Sequence, residues 1–259
     1  MSGIRDQAVT RGPGARPDTD ALVVEEPLEI RVEERSVAVT MRTPGDDLDL
    51  AAGFLCTEGI VDGADDLHAL DHLAGDPARN IVVARVSGGV EAHLEALTRA
   101  TREFYATSAC GICGKTSIDR VSALVPDHPP TERVPTDAVM ATLPERVVGP
   151  GFRATGGLHA AALVDYDGAL EVLREDIGRH NAVDKVIGWR LRQDRLPIRD
   201  RVLVVSGRTG FEIVQKAAMV GVPVICGVGA ASTLAVELAR RSGMALFGFV
   251  REGRWTRYC

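Results

Sequence analysis

The sequence predicts an α/β protein in which a small N-terminal α+β domain precedes a larger three-layer α/β/α domain. In the second half, short apolar runs alternate with segments of helical period, which is typical of parallel strands covered by helices. In the first half, apolar and polar residues alternate one by one, as in strands that bury a single face. The 259 residues suffice for one large domain or two modest ones. We place the two domains at residues 21–125 and 126–259, after a tail of residues 1–20.

The tail and the start of the N-terminal domain differ in pattern. Residues 1–20 are rich in glycine, proline, arginine and aspartate without hydrophobic periodicity, so we expect them to be disordered. Leu28–Val32 and Val37–Met41 alternate apolar with polar residues and predict a β-hairpin. Acidic residues from Asp46 open a predicted helix that continues to about Glu58, because negative charge is favoured at a helix N-terminus.

Two more strands and a helix are predicted before the centre of the chain. Ile81–Val86 and Val90–Leu94 are predicted strands joined across two glycines. His68 and His72 would lie one turn apart in a helix, a spacing that can bind a metal. No third ligand is in register, so no metal site is predicted. Cys56, in the first helix, is expected to be a buried small residue.

The C-terminal domain follows a proline-rich segment at residues 126–135, which marks the predicted domain boundary. A helix is predicted from about Phe211 to Val220, and Ser232 can cap the next one. Alternating strands and helices of this kind form a right-handed parallel sheet. The strands are predicted at Val202–Val205, Val222–Cys226 and Met244–Val250.

Composition and charge exclude several classes of function. A net charge of −6 argues against broad nucleic-acid binding. No apolar run reaches the roughly 18 residues of a membrane span, and the first residues lack the apolar core of a signal peptide. Five cysteines, an odd number, do not suit a secreted disulfide framework. We therefore expect a cytoplasmic protein that binds neither nucleic acid nor membranes.

Two cysteines in the middle of the chain are the strongest chemical signal. Cys110 and Cys113 are each followed by glycine, which leaves their sulfur atoms little shielded, and the next residues predict a helix. A thiol near a helix N-terminus and beside a cation such as Lys115 has a lowered pKa and is available as a thiolate. A structural zinc site is disfavoured because no second ligand pair stands at a suitable spacing. From the pair alone, a redox role and a sulfur-carrier role both remain open.

Two loops follow predicted strands at their carboxyl ends, where ligands gather in α/β proteins. Ser206–Gly210 combines glycines, hydroxyls, an arginine and a helix N-terminus, which suits a phosphate. Val250–Trp255 contains two arginines suited to phosphate and an indole suited to stacking on a base or pterin. A solvated, charged chain end is the alternative interpretation of the second loop.

A third group of polar residues surrounds a predicted strand-to-helix turn. Glu175, Asp176, Arg179 and His180 crowd this turn, and His159 follows two glycines shortly before it. Such a cluster fits either a functional site or a structural network of ion pairs, and both interpretations stay open.

Taken together, these segments resemble the FdhD family, the formate dehydrogenase accessory sulfurtransferases. The resemblance extends over nearly the whole chain after the tail. It consists of many short matching blocks that occur in the same order as in the family. The blocks are Ala52–Leu55 with Glu58–Ile60, Cys110–Gly114, Thr155–Gly156 with His159–Ala162, Glu175–His180, Val214–Met219, Thr233–Glu237, Gly248–Phe249 and Gly253–Arg254.

The resemblance implies a function in sulfur transfer. The chain would take sulfane sulfur from a cysteine desulfurase and pass it to the molybdenum cofactor of formate dehydrogenase, in its bis-molybdopterin guanine dinucleotide form. Cys110 would carry the persulfide and Cys113 would assist. The cofactor would be cargo, and no tightly bound metal of the protein's own is implied. The stretch that matches the family's cofactor-binding loop is Val250, Arg251, Glu252, Gly253, Arg254 and Trp255.

The same resemblance implies a cytoplasmic homodimer whose larger domain is similar in fold to the cytidine deaminases. Deaminase chemistry itself is not expected. Zinc deaminases need a glutamate two residues after a zinc-ligating histidine, and a downstream Pro-Cys-x-x-Cys. Here the residue two positions after His159 is Ala161 and not glutamate, and the cysteine pair lies before the histidine in the sequence.

Two hypotheses of function follow. In the first, the protein is an enzyme whose Cys110 thiolate takes up sulfur and delivers it to a cofactor held by Arg251–Arg254. In the second, the protein is a non-catalytic chaperone that binds the cofactor for formate dehydrogenase, and its cysteines are incidental. The glycine-flanked cysteine pair favours the first, because a passive chaperone does not need two reactive thiols.

Overall fold

The computed structural model describes residues 3–107, 125–126 and 130–259. Its strands are β1 (Ile4–Arg11), β2 (Arg16–Val23), β3 (Glu26–Val32), β4 (Arg35–Arg42), β5 (Leu67–His72), β6 (Ile81–Val86), β7 (His159–Val164), β8 (Leu170–Asp176), β9 (Val202–Val205), β10 (Val224–Gly227), β11 (Ala245–Arg251) and β12 (Arg254–Arg257). Its α-helices are α1 (Asp47–Thr57), α2 (Gly89–Ala92), α3 (Leu94–Thr107), α4 (Asp137–Thr142), α5 (Pro150–Thr155), α6 (Arg179–Arg192), α7 (Phe211–Met219) and α8 (Thr233–Arg241). Short 3₁₀ turns lie at Ala64–Asp66 and Leu143–Val147. Within these described ranges, no helix is long and apolar enough to cross a bilayer.

Strands β1 and β2 form an antiparallel hairpin, so the predicted disorder of residues 1–20 is wrong for the described part of that segment. The two strands pair along their whole length. Arg11 on β1 forms ion pairs with Asp18 and Asp20 on β2. Most side chains of the hairpin are exposed, so the segment lacks the alternation that marks a half-buried strand.

The N-terminal half contains a four-stranded sheet in the order β4-β3-β6-β5. The predicted hairpin is confirmed as the antiparallel pair β3–β4, and the predicted strand Ile81–Val86 is β6, parallel to β3. The predicted helix at His68 and His72 is wrong, because both residues lie on β5. The predicted strand Val90–Leu94 is also wrong. Two glycines with φ of 72° and 64° turn the chain after β6, and helices α2 and α3 follow.

The C-terminal half contains a mixed six-stranded sheet in the order β12-β11-β10-β9-β7-β8. The three predicted strands are confirmed as β9, β10 and β11, which run parallel with α7 and α8 between them. On one side, β7 and β8 form an antiparallel hairpin, and β7 is antiparallel to β9. On the other side, β12 pairs antiparallel with β11. Every residue of β9 and β10 is buried, as expected for strands covered on both faces.

Helices α1 and α6 cross in close contact at two glycines. A Cβ on Gly53 of α1 would collide with the carbonyl oxygen of Asp184 on α6. A Cβ on Gly188 of α6 would collide with the carbonyl oxygen of Asp49 on α1. The absence of side chains at these two positions lets the helix backbones approach this closely.

A buried ion pair ties these helices to α7. The ammonium of Lys216 on α7 lies 2.9 Å from a carboxylate oxygen of Asp184 on α6 and donates to the hydroxyl of Thr57 on α1 at 2.9 Å. One apolar cluster surrounds the crossing and includes Ile30 of β3 and Ile225 of β10. The two predicted domains therefore share a core, and the boundary between them stays a prediction.

Candidate functional site

One edge of the six-stranded sheet collects most of the residues predicted to be functional in the C-terminal half. Because β9, β10 and β11 are parallel, the loops that follow them meet at this edge. Because β7 is antiparallel to β9, its first residue, His159, lies at the same edge, opposite Asp176 at the end of β8. We call this the carboxyl edge, and it is where ligands bind in open α/β sheets.

The three loops at the carboxyl edge are joined by backbone hydrogen bonds. Gly229 N donates to the carbonyl of Gly207 at 3.1 Å, and Phe249 N donates to the carbonyl of Gly229 at 2.9 Å. A Cβ on Gly229 would lie 2.8 Å from the Gly207 oxygen, so a side chain there would push the loops apart. The loop Ser206–Gly210 is thus fixed relative to the end of β11.

The predicted cofactor loop Val250–Trp255 is a tight turn between β11 and β12. Glu252 and Gly253 have φ of 52° and 71°, as in the two-residue turns that join antiparallel strands. Arg251 and Arg254 pair across the turn. The first residue of the loop is buried in the core, and the other five are exposed. The sequence analysis predicted a loop here and did not predict the strand pairing that places an arginine on each side of the turn.

An open cavity of about 540 Å³ lies against this turn. Arg254 pairs with Glu252 at 2.6 Å, and the two side chains are 75% and 74% exposed. An ion pair this exposed is weak, so the guanidinium is free to exchange its carboxylate for a phosphate. The cavity is lined by Phe249, Arg251, Gly253, Arg254, Trp255 and Thr256.

The indole of Trp255 is anchored but remains partly accessible. Its Nε1 donates to Oδ1 of Asp137 on α4 at 3.1 Å, and its ring meets Phe247 edge to face with centroids 5.4 Å apart. About two-fifths of the residue, 39%, is exposed. An anchored ring with accessible surface suits stacking on a flat base.

The predicted catalytic residues Cys110 and Cys113, and the helix predicted after them, lie outside the described residues. Of the described cysteines, Cys56 is buried, as predicted, Cys226 is also buried, and Cys259 is half-buried. Burial raises the pKa of all three thiols, that of Cys56 to about 12. None of these three is therefore a thiolate at neutral pH, the form that sulfur chemistry needs.

Glu175 and Asp176 have structural partners. The carboxylate of Glu175 accepts hydrogen bonds from the backbone N–H groups of Gly151 and Phe152 at 2.8 and 2.7 Å, at the N-terminus of α5. Asp176 is fully buried and lies 2.7 Å from the ammonium of Lys185. Asp176 thus forms a buried ion pair, as the structural interpretation predicts, whereas Glu175 is bound by backbone N–H groups and not by a cation.

The two histidines near these carboxylates, His180 and His159, have other surroundings. Nε2 of His180 lies 2.8 Å from a carboxylate oxygen of Glu212, in the first turn of α7. Burial lowers the pKa of His159, and the neighbouring charges of Arg179 and His180 lower it further. Sequence reasoning missed Glu212, because an acid in the first turn of a helix is common and carries no separate signal.

The fold and this edge define an α/β protein whose carboxyl edge offers two arginines, an anchored indole and an imidazole–carboxylate pair to a ligand. The chain belongs to the FdhD/NarQ family, whose model matches residues 23–259. The predicted family is thereby confirmed.

Two relatives are named sulfur carrier protein FdhD. The one from Mycolicibacterium paratuberculosis is 49% identical over 249 residues, which cover 92% of this chain and 89% of the relative. The one from Streptomyces avermitilis is 48% identical over 259 residues, covering 96% of this chain and 88% of the relative.

A solved structure from Desulfotalea psychrophila, described as a proposed formate dehydrogenase accessory protein, is similar with a TM-score of 0.74. The match covers 98% of this chain and 95% of the other at 22% sequence identity. At this identity the likeness shows a shared mixed α/β fold and nothing finer.

Proposed function

We propose that the chain is a sulfurtransferase that passes sulfur to the molybdenum cofactor required by formate dehydrogenase. The observation that carries this proposal is the near-half identity, over more than nine-tenths of the chain, to relatives named sulfur carrier protein. The description of the solved relative as a formate dehydrogenase accessory protein points to that enzyme as the recipient.

In this proposal Cys110 receives sulfur from a cysteine desulfurase. Its thiolate attacks the terminal sulfur of the desulfurase persulfide, a new S–S bond forms, and the desulfurase thiolate leaves. Cys113 assists the later release. Support comes from the remaining cysteines, since Cys56, Cys226 and Cys259 all have raised pKa values and are unsuited to this attack.

The cofactor, bis-molybdopterin guanine dinucleotide, is bound as cargo at the turn Val250–Trp255. Its nucleotides present phosphates and flat guanine bases. Arg251 and Arg254 suit the phosphates, and the indole of Trp255 suits a base. The cavity of about 540 Å³ against the turn supports this placement. Val250, buried in the core, contributes its backbone alone.

The proposal further includes a cytoplasmic homodimer, a three-layer arrangement of the C-terminal half and its likeness to cytidine deaminases. The family resemblance implies all of these features. A mixed sheet with parallel central strands and helices between them supports the layered arrangement.

A non-catalytic chaperone of the same cofactor is the second candidate function. The arginines and the indole of the turn would serve it equally well, so the turn does not separate the two. The cysteine pair does, because a chaperone would bind the cofactor without carrying sulfur.

Mass spectrometry of the full chain after incubation with a cysteine desulfurase and cysteine tests the proposal. We expect a reductant-sensitive gain of about 32 Da, one sulfur atom, on Cys110. Cys110→Ser should abolish this gain, and the matched control Cys259→Ser should retain it. A Cys110→Ser protein that still supports normal formate dehydrogenase maturation would exclude sulfur transfer and leave the chaperone.

A further inference from the structure

Asp137, the first residue of α4, places a carboxylate beside the indole of Trp255. Its Oδ1 accepts the hydrogen bond from Nε1 of the indole at 3.1 Å, and the residue is exposed. Because a ring N–H lies in the plane of its ring and hydrogen bonds prefer to be straight, this carboxylate stands near the plane of the indole, at its edge. Among the described residues, Oδ2 of Asp137 has no hydrogen-bond partner.

The structural roles of Asp137 leave most of this carboxylate unused. A negative charge in the first turn of a helix is favourable, but α4 is already capped by the hydroxyl of Thr136, which accepts from the backbone N–H of Val139. Holding the indole occupies one acceptor site, whereas an ionised carboxylate offers about four. Asp137 can therefore accept further hydrogen bonds from a ligand that lies against Trp255.

The other carboxylate of this region is engaged by a cation. Glu252, in the turn between β11 and β12, pairs with Arg254 at 2.6 Å. Asp137 forms no ion pair with a described residue. Of the two carboxylates, Asp137 is therefore the one that touches the indole and is open to uncharged donors.

Guanine is the base whose edge matches a carboxylate. Its N1–H and its N2 amino group are neighbouring donors, which the two oxygens of a carboxylate accept together. Adenine presents an acceptor, N1, at the same place and would face a carboxylate oxygen with a lone pair. A base stacked on the indole of Trp255 lies about 3.5 Å above the ring plane, so its edge comes within reach of the Asp137 side chain.

We propose that Asp137 is a specificity-determining residue of the cofactor site, which selects guanine by accepting hydrogen bonds from N1–H and N2 of a base stacked on Trp255. This inference rests on the proposed function, which places a guanine nucleotide at this turn. The arginines of the turn bind phosphates, which all nucleotides share, and an aromatic ring stacks on any base. The choice among bases then depends on Asp137.

The test compares GDP, IDP and ADP in isothermal titrations of the full chain, because the three share their phosphates and differ at the edge of the base. IDP keeps N1–H and lacks the N2 amino group. We expect the wild type to bind GDP about tenfold to a hundredfold more tightly than ADP, with IDP between them.

D137N should abolish this preference. Its amide oxygen still accepts from the indole, while its amide nitrogen is a donor that opposes N1–H of guanine and pairs with N1 of adenine. GDP binding should weaken by about tenfold or more, and ADP binding should not. D167N is the matched control, because Asp167 is also exposed but lies between β7 and β8, at the edge of the sheet opposite the carboxyl edge. Its preference for GDP should equal that of the wild type.

Three results would overturn the inference. They are equal affinity of the wild type for GDP and ADP, an unchanged preference in D137N, and a loss of both nucleotides by the same factor in D137N, which would mean that Asp137 only anchors the indole. Arg254→Ala separates this inference from the proposed function. A wild type that does not bind GDP, or GDP binding unaffected by Arg254→Ala, refutes the placement of the nucleotide at the turn. GDP binding that depends on Arg254 but not on Asp137 refutes this inference alone.

Discussion

Arg254 is available to a ligand because nothing holds its guanidinium firmly. Its partner Glu252 lies two residues away, and both side chains are about three-quarters exposed. We expect Arg254→Ala to remove a charge-assisted contact worth about 1.5–3 kcal/mol. Isothermal titration should then show GDP binding weakened by about tenfold to a hundredfold.

Arg199→Ala is the matched control for Arg254. Arg199 is also exposed, but it precedes β9 and so lies at the opposite edge of the sheet. Its removal should leave GDP binding unchanged. Neither variant should lose persulfide loading of Cys110, because in the proposed function that step involves the desulfurase and not the nucleotide. Unchanged GDP affinity in Arg254→Ala would refute the placement of the nucleotide at the turn.

At the scale of residues, the sequence indicated which side chains are candidates for function better than it indicated which groups they contact. Arg254 and Trp255 stand out by residue type next to a strand end. Asp137, which anchors the indole, lies 118 residues away in sequence, and no local pattern connects the two. In the same way Glu175 stood out by crowding, whereas its structural role depends on the N-terminus of α5, which the sequence pattern did not reveal.

The crossing of α1 and α6 is the contact between elements most sensitive to side-chain size. A methyl group at Gly53 would collide with the backbone of α6 at Asp184, which cannot move aside as a flexible side chain would. We expect Gly53→Ala to lower the free energy of unfolding by about 3 kcal/mol, the upper range for overpacking. Urea unfolding followed by circular dichroism measures this loss.

Gly63→Ala provides the comparison for Gly53→Ala. A Cβ at Gly63 would meet nothing within 4 Å, and its backbone is extended with φ of −160°. It should change the free energy of unfolding by no more than about 0.5 kcal/mol. Equal stabilities of the two variants would show that the helices do not cross as described.

At the scale of elements, the sequence predicted segments that carry a clear apolar or charge pattern. Strands β9, β10 and β11 are continuous apolar runs, and α1 has acids at its start, so all four were predicted. The exposed strands β1, β2 and β12 carry no such pattern and were missed. The segment at Val90–Leu94 is short enough to fit strand or helix, and the glycine turn before it decided the outcome.

The stability of the whole molecule should fall in mild acid because two histidines resist protonation in the folded state. Burial, followed by the charge of Arg79, lowers the pKa of His72, and burial lowers that of His159. The unfolded chain, with a histidine pKa of about 6.5, then binds protons more readily than the folded one. Their contribution to stability is therefore present above about pH 6.5 and lost as the pH falls through the lower folded-state values.

Urea unfolding at a series of pH values between about 7.5 and 5 measures this effect. The free energy of unfolding should fall with pH in the wild type, and the fall should be shallower in His72→Gln and in His159→Gln. A wild-type slope retained in both variants would contradict the assignment to these two side chains.

At the scale of the whole molecule, the proposed function is that sulfur passes through this chain to the cofactor of formate dehydrogenase. The most direct measurement loads the full chain with radiolabelled sulfur from a desulfurase, removes the desulfurase, and adds cofactor and formate dehydrogenase. We expect the label to leave the chain and appear in the cofactor of an active dehydrogenase, and no label to be transferred by Cys110→Ser. An active dehydrogenase without label, or activation by Cys110→Ser equal to that by the wild type, would contradict the claim.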